Sequence, residues 1–181
     1  MSYLPSNRSS QIKGFTLIEL LMVLGVIAVI AIGAFIIFPK VRDENLAKEN
    51  TANIQSIVTQ MSSLFNNSNL GNPGSPLTSM LIQTKIAPDS MIRNNQLVDA
   101  SDNPLNIFVA SSPDLFEIQF SKVSSRICMD MSNALINQIY LLNISGVSMP
   151  STYKSQQQKQ SFIFQKCASA SQVPLTFVFQ I

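Results

Sequence analysis

From Leu20 to Phe38, nineteen consecutive residues carry no charge, about the length a helix needs to cross a bilayer. Directly ahead of this run stands a carboxylate, Glu19. An acidic side chain in such a segment is costly unless a partner neutralises it, so it marks a functional position by default. A plain membrane anchor has no use for Glu19, whereas a helix that must register against another helix in the membrane does. Gly25, Gly33 and Pro39 punctuate the run. Glycine lets neighbouring backbones approach, and proline removes a backbone donor and can kink or loosen a helix.

The remainder of the 181-residue chain, 46% hydrophobic overall, suffices for one modest core beside the membrane segment. With no histidine, the chain cannot build a Ser-His-Asp or Cys-His nucleophile or a histidine-ligated metal site. Asp43, Glu44 and Glu49 precede the globular part, and Asp89, Asp99, Asp102, Asp114, Glu117 and Asp130 are scattered without ligand spacing. Gly71 and Gly74 flank Pro73 in a polar turn and form no phosphate-binding loop. No Lys/Arg cluster makes a nucleic-acid patch. The expectation is a non-enzyme with no catalytic residue, no cofactor and no metal. An anchored envelope binding protein, or an enzyme built on an unusual carboxylate pair, is the alternative from a different class.

Past Lys40 the composition turns polar around an apolar stripe of Ile54, Ile57, Val58, Met61, Leu64 and Phe65 at three- and four-residue steps. This predicts one long helix from near Phe15 to near Asn66, with Asp43, Glu44, Lys48 and Glu49 facing water or another subunit. Turn formers from Asn66 to Pro76 break it. A short helix follows over Leu77–Ile82, ended by Ala87-Pro88-Asp89. Leu105–Val109 and Phe116–Phe120 read as strands. Ser124-Ser125 can cap a helix over Arg126–Ile139, with Ile127, Met131, Leu135 and Ile139 on one face. Leu141–Ile144 reads as a strand, Ser155–Gln160 as an exposed loop or strand edge, and Phe162–Phe164 and Leu175–Phe179 as the last strands. Strands after a long helix, with helices interspersed, predict an α+β fold with a largely antiparallel sheet.

Lys13-Gly14-Phe15-Thr16-Leu17-Ile18-Glu19 resembles the prepilin peptidase site of type IV prepilins. The resemblance implies a leader over residues 1–14, cleavage after Gly14, N-methylation of Phe15, and assembly into a filament. It also implies that Glu19 of one subunit meets the Phe15 amine of its neighbour. The division that follows is a leader (1–14), a transmembrane and filament-core helix (15–39), its amphipathic continuation (40–66) and a globular α+β domain (67–181). Glycine before the cut lets a protease approach the backbone without a Cβ in the way. Arg8 and Lys13 ahead of the apolar run hold the amino terminus cytoplasmic. A conventional signal peptide cut near Ala31–Ala34 is the competing reading, and it leaves Glu19 and the Gly14-Phe15 junction unexplained.

Leu77-Thr78 with Ala87-Pro88, the strand before Cys128, the helix after it, and Cys167 followed by Leu175-Thr176-Phe177 are similar to the globular region of type IVb pilins. The fourteen-residue leader and Phe15 at the start of the mature chain depart from that group towards type IVa. In an exported chain the pair Cys128 and Cys167 is most simply a disulfide, worth about 4 kcal/mol in the chain-entropy account, with two buried thiols as the alternative. Type IV pilins staple their C-terminal region this way. Removing Arg8 and Lys13 with the leader leaves ten basic and ten acidic side chains, a neutrality that permits subunits to pack closely. The implied partners are further copies and minor pilins, the prepilin peptidase, an inner-membrane assembly platform, and the membrane before assembly. The implied location is the inner membrane of a bacterium as precursor, with the globular domain periplasmic, then an extracellular pilus. A type II secretion pseudopilin shares the N-terminal logic and is the runner-up.

Overall fold

A computed structural model describes residues 15–65 and 69–181, so Gly14 and the remaining leader positions, with Asn66, lie outside the described residues. The chain divides into two compact units, one reaching Lys40 and one over Val41–Ile181. Helix α1, Leu17–Phe65, is the first element. It runs through Pro39 without a break, although that residue can donate no backbone hydrogen bond to the carbonyl of Phe35.

Within the globular unit α1 contributes Ala47, Asn50, Ile54, Ile57 and Met61, all buried, at the three- and four-residue steps of one helix face. Val58 and Phe65 flank that face, partly buried. Leu64 does not belong to it. Expected in the stripe, it is 62% exposed, because it falls three residues beyond Met61 on the turn's outer edge while Phe65 takes the inner place. Ala47 and Asn50, too small or too polar to register as stripe members, belong to it.

After α1 come α2 (Thr78–Gln83), β1 (Ile92–Arg93), β2 (Gln96–Leu97), β3 (Leu105–Val109), β4 (Leu115–Ser124), α3 (Ser125–Leu135), β5 (Leu141–Ile144), β6 (Val147–Ser148), α4 (Gln156–Cys167) and β7 (Gln172–Gln180). The main sheet has the order β3-β4-β7-β5-β6 and every pairing in it is antiparallel. The fold is α+β, as the sequence pattern predicts. Two-residue turns join β1 to β2 through Asn94-Asn95 and β5 to β6 through Ser145-Gly146, all four residues at positive φ. That is the hairpin geometry whose twist matches the flanking strands.

Alternation places Val173, Leu175, Phe177 and Phe179 of β7 in the core, where Phe116 stacks on Phe179 at 5.6 Å and Phe120 meets Phe177 edge-on at 6.3 Å. The opposite face carries a smaller cluster of Ala110, Leu115 and Val178, with Leu141 against it. Pro174 sits inside this central strand. Opposite it the β4–β7 register shifts between Phe120 and Val123, so Ser121 and Lys122 form a bulge where proline offers no N–H to the ladder.

Two expectations over the last third of the chain are corrected. Ser155–Gln160 and Phe162–Phe164 form neither a loop nor a strand; they are the cap and body of α4. Ser155 accepts from the Gln158 N–H at 3.2 Å while Gln158 accepts from the Ser155 N–H at 3.3 Å, a reciprocal box that starts a helix. Phe162, Ile163 and Cys167 then face the core, leaving Phe164 exposed. A three-residue apolar run fits a strand or a helix equally, and the cap decides. Helix α3 also stops at Leu135, short of Ile139.

Candidate assembly site

The head of α1 gathers the residues singled out in the sequence. Phe15 precedes the helix and is 84% exposed, and Glu19 lies in its first turn. The Thr16 hydroxyl accepts from the Glu19 N–H at 3.3 Å, and the Thr16 carbonyl accepts from Leu20 at 3.2 Å. Thr16 is thus the helix cap, and Thr-x-x-Glu is the spacing of a capping box. A carboxylate in the first turn also sits favourably in the helix dipole. Among the described residues Glu19 has no ion-pair partner. The described residues of a single copy therefore supply the helix end that positions this carboxylate and no cation to neutralise it.

Behind Glu19 the apolar half of α1 is uncovered. Leu17, Ile18, Leu20, Leu21, Met22, Leu24, Ile27, Ile30 and Phe35 are exposed along its length. A Cβ added at Gly25 or Gly33 would meet no atom within 4 Å. Shallow apolar hollows lie at Met22-Gly25-Val26-Val29 and at Ala31-Ala34-Phe35-Phe38. Small residues beside large ones give a helix the knobs and holes that a second helix in hydrocarbon can use.

The expected pairing of Cys128 and Cys167 is present. The two residues are bonded with their Cα atoms 5.7 Å apart, joining α3 to the last residue of α4, and both are fully buried. Ser124 caps α3 by accepting from the Ile127 N–H at 3.3 Å. The same hydroxyl donates to Asp43 of α1 at 2.7 Å. Asp43 is therefore drawn against the globular unit, a correction to its expected place on the water-facing side.

Glu44 and Lys48 do lie at the surface, in a groove of about 520 Å3 between α1 and α3. Lys48 donates to Glu44 at 2.8 Å, and that bond, then the ammonium charge itself, holds the Glu44 carboxyl below its usual range. Across the groove Arg126 stands 3.7 Å from Asp130. Each charge in the groove already has its opposite. Among the described residues no cluster of three or more potential metal ligands exists.

Comparison with known proteins agrees with this geometry. Residues 44–179 match the family described as PilS N terminal, and residues 9–35 match the prokaryotic N-terminal methylation motif. The chain belongs to the PilS family and, with the methylation motif ahead of the family region, is a type IV pilin subunit, a structural protein and not an enzyme. The crystal structure of TcpA, a type IV pilin from Vibrio cholerae El Tor biotype, superposes with a TM-score of 0.58 at 9% identity. That match covers 74% of this chain and 98% of the other. The type IVb pilin from Salmonella typhi superposes with a TM-score of 0.53 at 15% identity, over 73% of this chain and 98% of its own. At such identities the likeness is one of fold. No curated protein sequence matches the chain.

Proposed function

We propose that the chain is made as a membrane-anchored prepilin, cut after Gly14, methylated on the new amino terminus at Phe15, and assembled into a surface filament. The observation that supports this reading is the uncovered apolar half of α1, headed by Glu19, which has no ion-pair partner among the described residues, on a chain whose globular unit has a closed core of its own. The apolar surface needs lipid before assembly and neighbouring helices after it. In such a bundle Glu19 pairs with the Phe15 amine of an adjacent copy. A buried pair of this kind adds little net stability, since both charges lose hydration, but it penalises every axial offset that leaves one charge alone.

The leader and residues 15–39 act as address and filament core, and the rest forms the outer surface. The prepilin peptidase and an inner-membrane platform are the processing and assembly partners, with the globular domain outside the cytoplasm. Adhesion, aggregation, motility and conjugative transfer are the roles open to such a filament. Intact-mass analysis of protein sheared from cells tests the reading. A species beginning at methylated Phe15 with Cys128 and Cys167 oxidised is expected; processed protein confined to the membrane would refute filament formation. Glu19→Ala should leave cleavage intact and reduce filament yield by at least about tenfold, about 1.4 kcal/mol in assembly terms. Wild-type yield from that variant would refute the pairing of Glu19 with Phe15.

A further inference from the structure

A second, smaller cavity of about 210 Å3 opens where the β6–α4 loop passes the start of β5. Tyr140, Met149, Pro150, Ser151, Tyr153 and Lys159 line it, over a floor that includes Ile136 and Ile139. The wall is built rather than incidental. Tyr153 packs edge-on against Phe162 at 6.2 Å, and its N–H donates to the Pro150 carbonyl at 3.1 Å. The Met149 N–H donates to Leu142 at 2.8 Å, tying the loop to β5. Lys159 rises from the first turns of α4, whose start the Ser155–Gln158 box fixes.

The electrostatics of this corner differ from those of the α1–α3 groove. Of the residues that line it, only Lys159 is charged. Among the described residues Lys159 has no ion-pair partner. The cavity therefore combines two aromatic rings, a hydroxyl, an apolar floor and one unmatched ammonium. At this size it is below the ~300–1,000 Å3 of sites for drug-sized ligands, and it fits a single ring.

A flat, apolar ring face for the tyrosines, hydroxyls for Ser151 and the phenols, and one carboxylate for Lys159 are the features of an acidic sugar. A nucleotide demands more cationic charge and a longer slot, and an extended peptide demands a free strand edge or groove. We propose that this cavity binds one carboxylate-bearing pyranose, a uronic or sialic acid unit of a surface glycan or polysaccharide. Its tyrosines stack on the sugar's C–H face and Lys159 holds the carboxylate, a charge-assisted contact.

The test is saturation-transfer NMR on the full chain in detergent micelles, titrated separately with glucuronate, N-acetylneuraminate, glucose and acetate. Transfer to the ring protons of at least one acidic sugar is expected, with glucose and acetate each binding at least about tenfold more weakly, as loss of a hydrogen bond to a charged group predicts. Transfer to glucuronate alone assigns a uronic acid polysaccharide, and transfer to N-acetylneuraminate alone a sialylated glycan. Lys159→Gln should weaken binding about tenfold, and Tyr140→Ala, at an exposed ring, should weaken it about two- to tenfold without disturbing the core. Equal binding of glucose and glucuronate, binding of acetate as tight as the sugar, an unaltered affinity in Lys159→Gln, or no transfer to either acid would overturn the assignment.

Discussion

The bond between Cys128 and Cys167 closes a segment of 39 positions that includes most of α3, all of β5 and β6, and α4. In the chain-entropy account a loop of that length removes about 4 kcal/mol of freedom from the unfolded chain. Domains have only about 5–15 kcal/mol of stability in total. The staple is therefore a large fraction of what keeps the globular unit folded. The perturbation is Cys128→Ala/Cys167→Ala, which leaves no lone thiol. The reduced wild-type chain, keeping its sulfur volume, separates the loss of the cross-link from the loss of packing. Urea unfolding of the full chain in micelles reads the effect. With no tryptophan in the sequence, near-ultraviolet circular dichroism of the tyrosines is the signal, and Tyr153 packs on Phe162 of α4. At a slope of about 2 kcal/mol per molar urea the midpoint should fall by about 2 M. The slope should also rise, because an uncross-linked denatured chain expands further. A loss below about 1 kcal/mol with an unchanged slope would refute the view that the bond acts by restraining the unfolded chain.

Phe162→Ala should cost about 3–5 kcal/mol, as for a buried ring, while Phe164→Ala, 65% exposed in the wild type, should change the same unfolding midpoint by less than about 0.5 kcal/mol; equal losses would return this segment to a strand. Asn50 is 1% exposed and accepts from the Ala100 N–H at 2.8 Å. Asn50→Ala should therefore cost about 1–3 kcal/mol by orphaning that donor, with faster hydrogen exchange at Ala100 as the specific readout. The Glu44 carboxyl, held low first by its hydrogen bond from Lys48 and then by the ammonium charge, titrates below its unfolded value. Its contribution to stability is present above the ordinary unfolded value and is lost as pH falls through the lower folded one. Lys48→Met should move the Glu44 titration up, followed by carboxyl carbon chemical shifts.

Long-period signals were legible in the sequence. Ile54, Ile57 and Met61 announced the buried face of α1, and the alternation in Phe116–Phe120 and Leu175–Phe179 announced two central strands. Ser124 announced the cap of α3. What misled was local. Phe162-Ile163-Phe164 looks like a strand when taken alone, and only the Ser155–Gln158 box upstream makes it helical. Asp43 looked like a surface charge because its partner, Ser124, lies 81 positions away, a pairing no periodicity reveals. Asn94-Asn95, both at positive φ, turn between strands of only two residues each, too short for alternation to mark. At the head of α1 the motif residues are visible in the sequence, while the bond that ties the Glu19 N–H to the Thr16 hydroxyl is a detail of the helix end.

The strand at the centre of the sheet, β7, follows every other element in the sequence, lying between β4 and β5. Until Gln172–Gln180 is available, β3-β4 and β5-β6 are two separate hairpin-like halves, each with an open edge. Sheet closure is thus a late and non-local event, the kind of contact that slows folding. As the chain is made from its amino terminus, the globular unit stays a pair of unjoined ladders with open edges until Gln172–Gln180 emerges. Any factor that binds exposed strand edges has its target in that interval, and a truncation within Gln172–Gln180 would extend it.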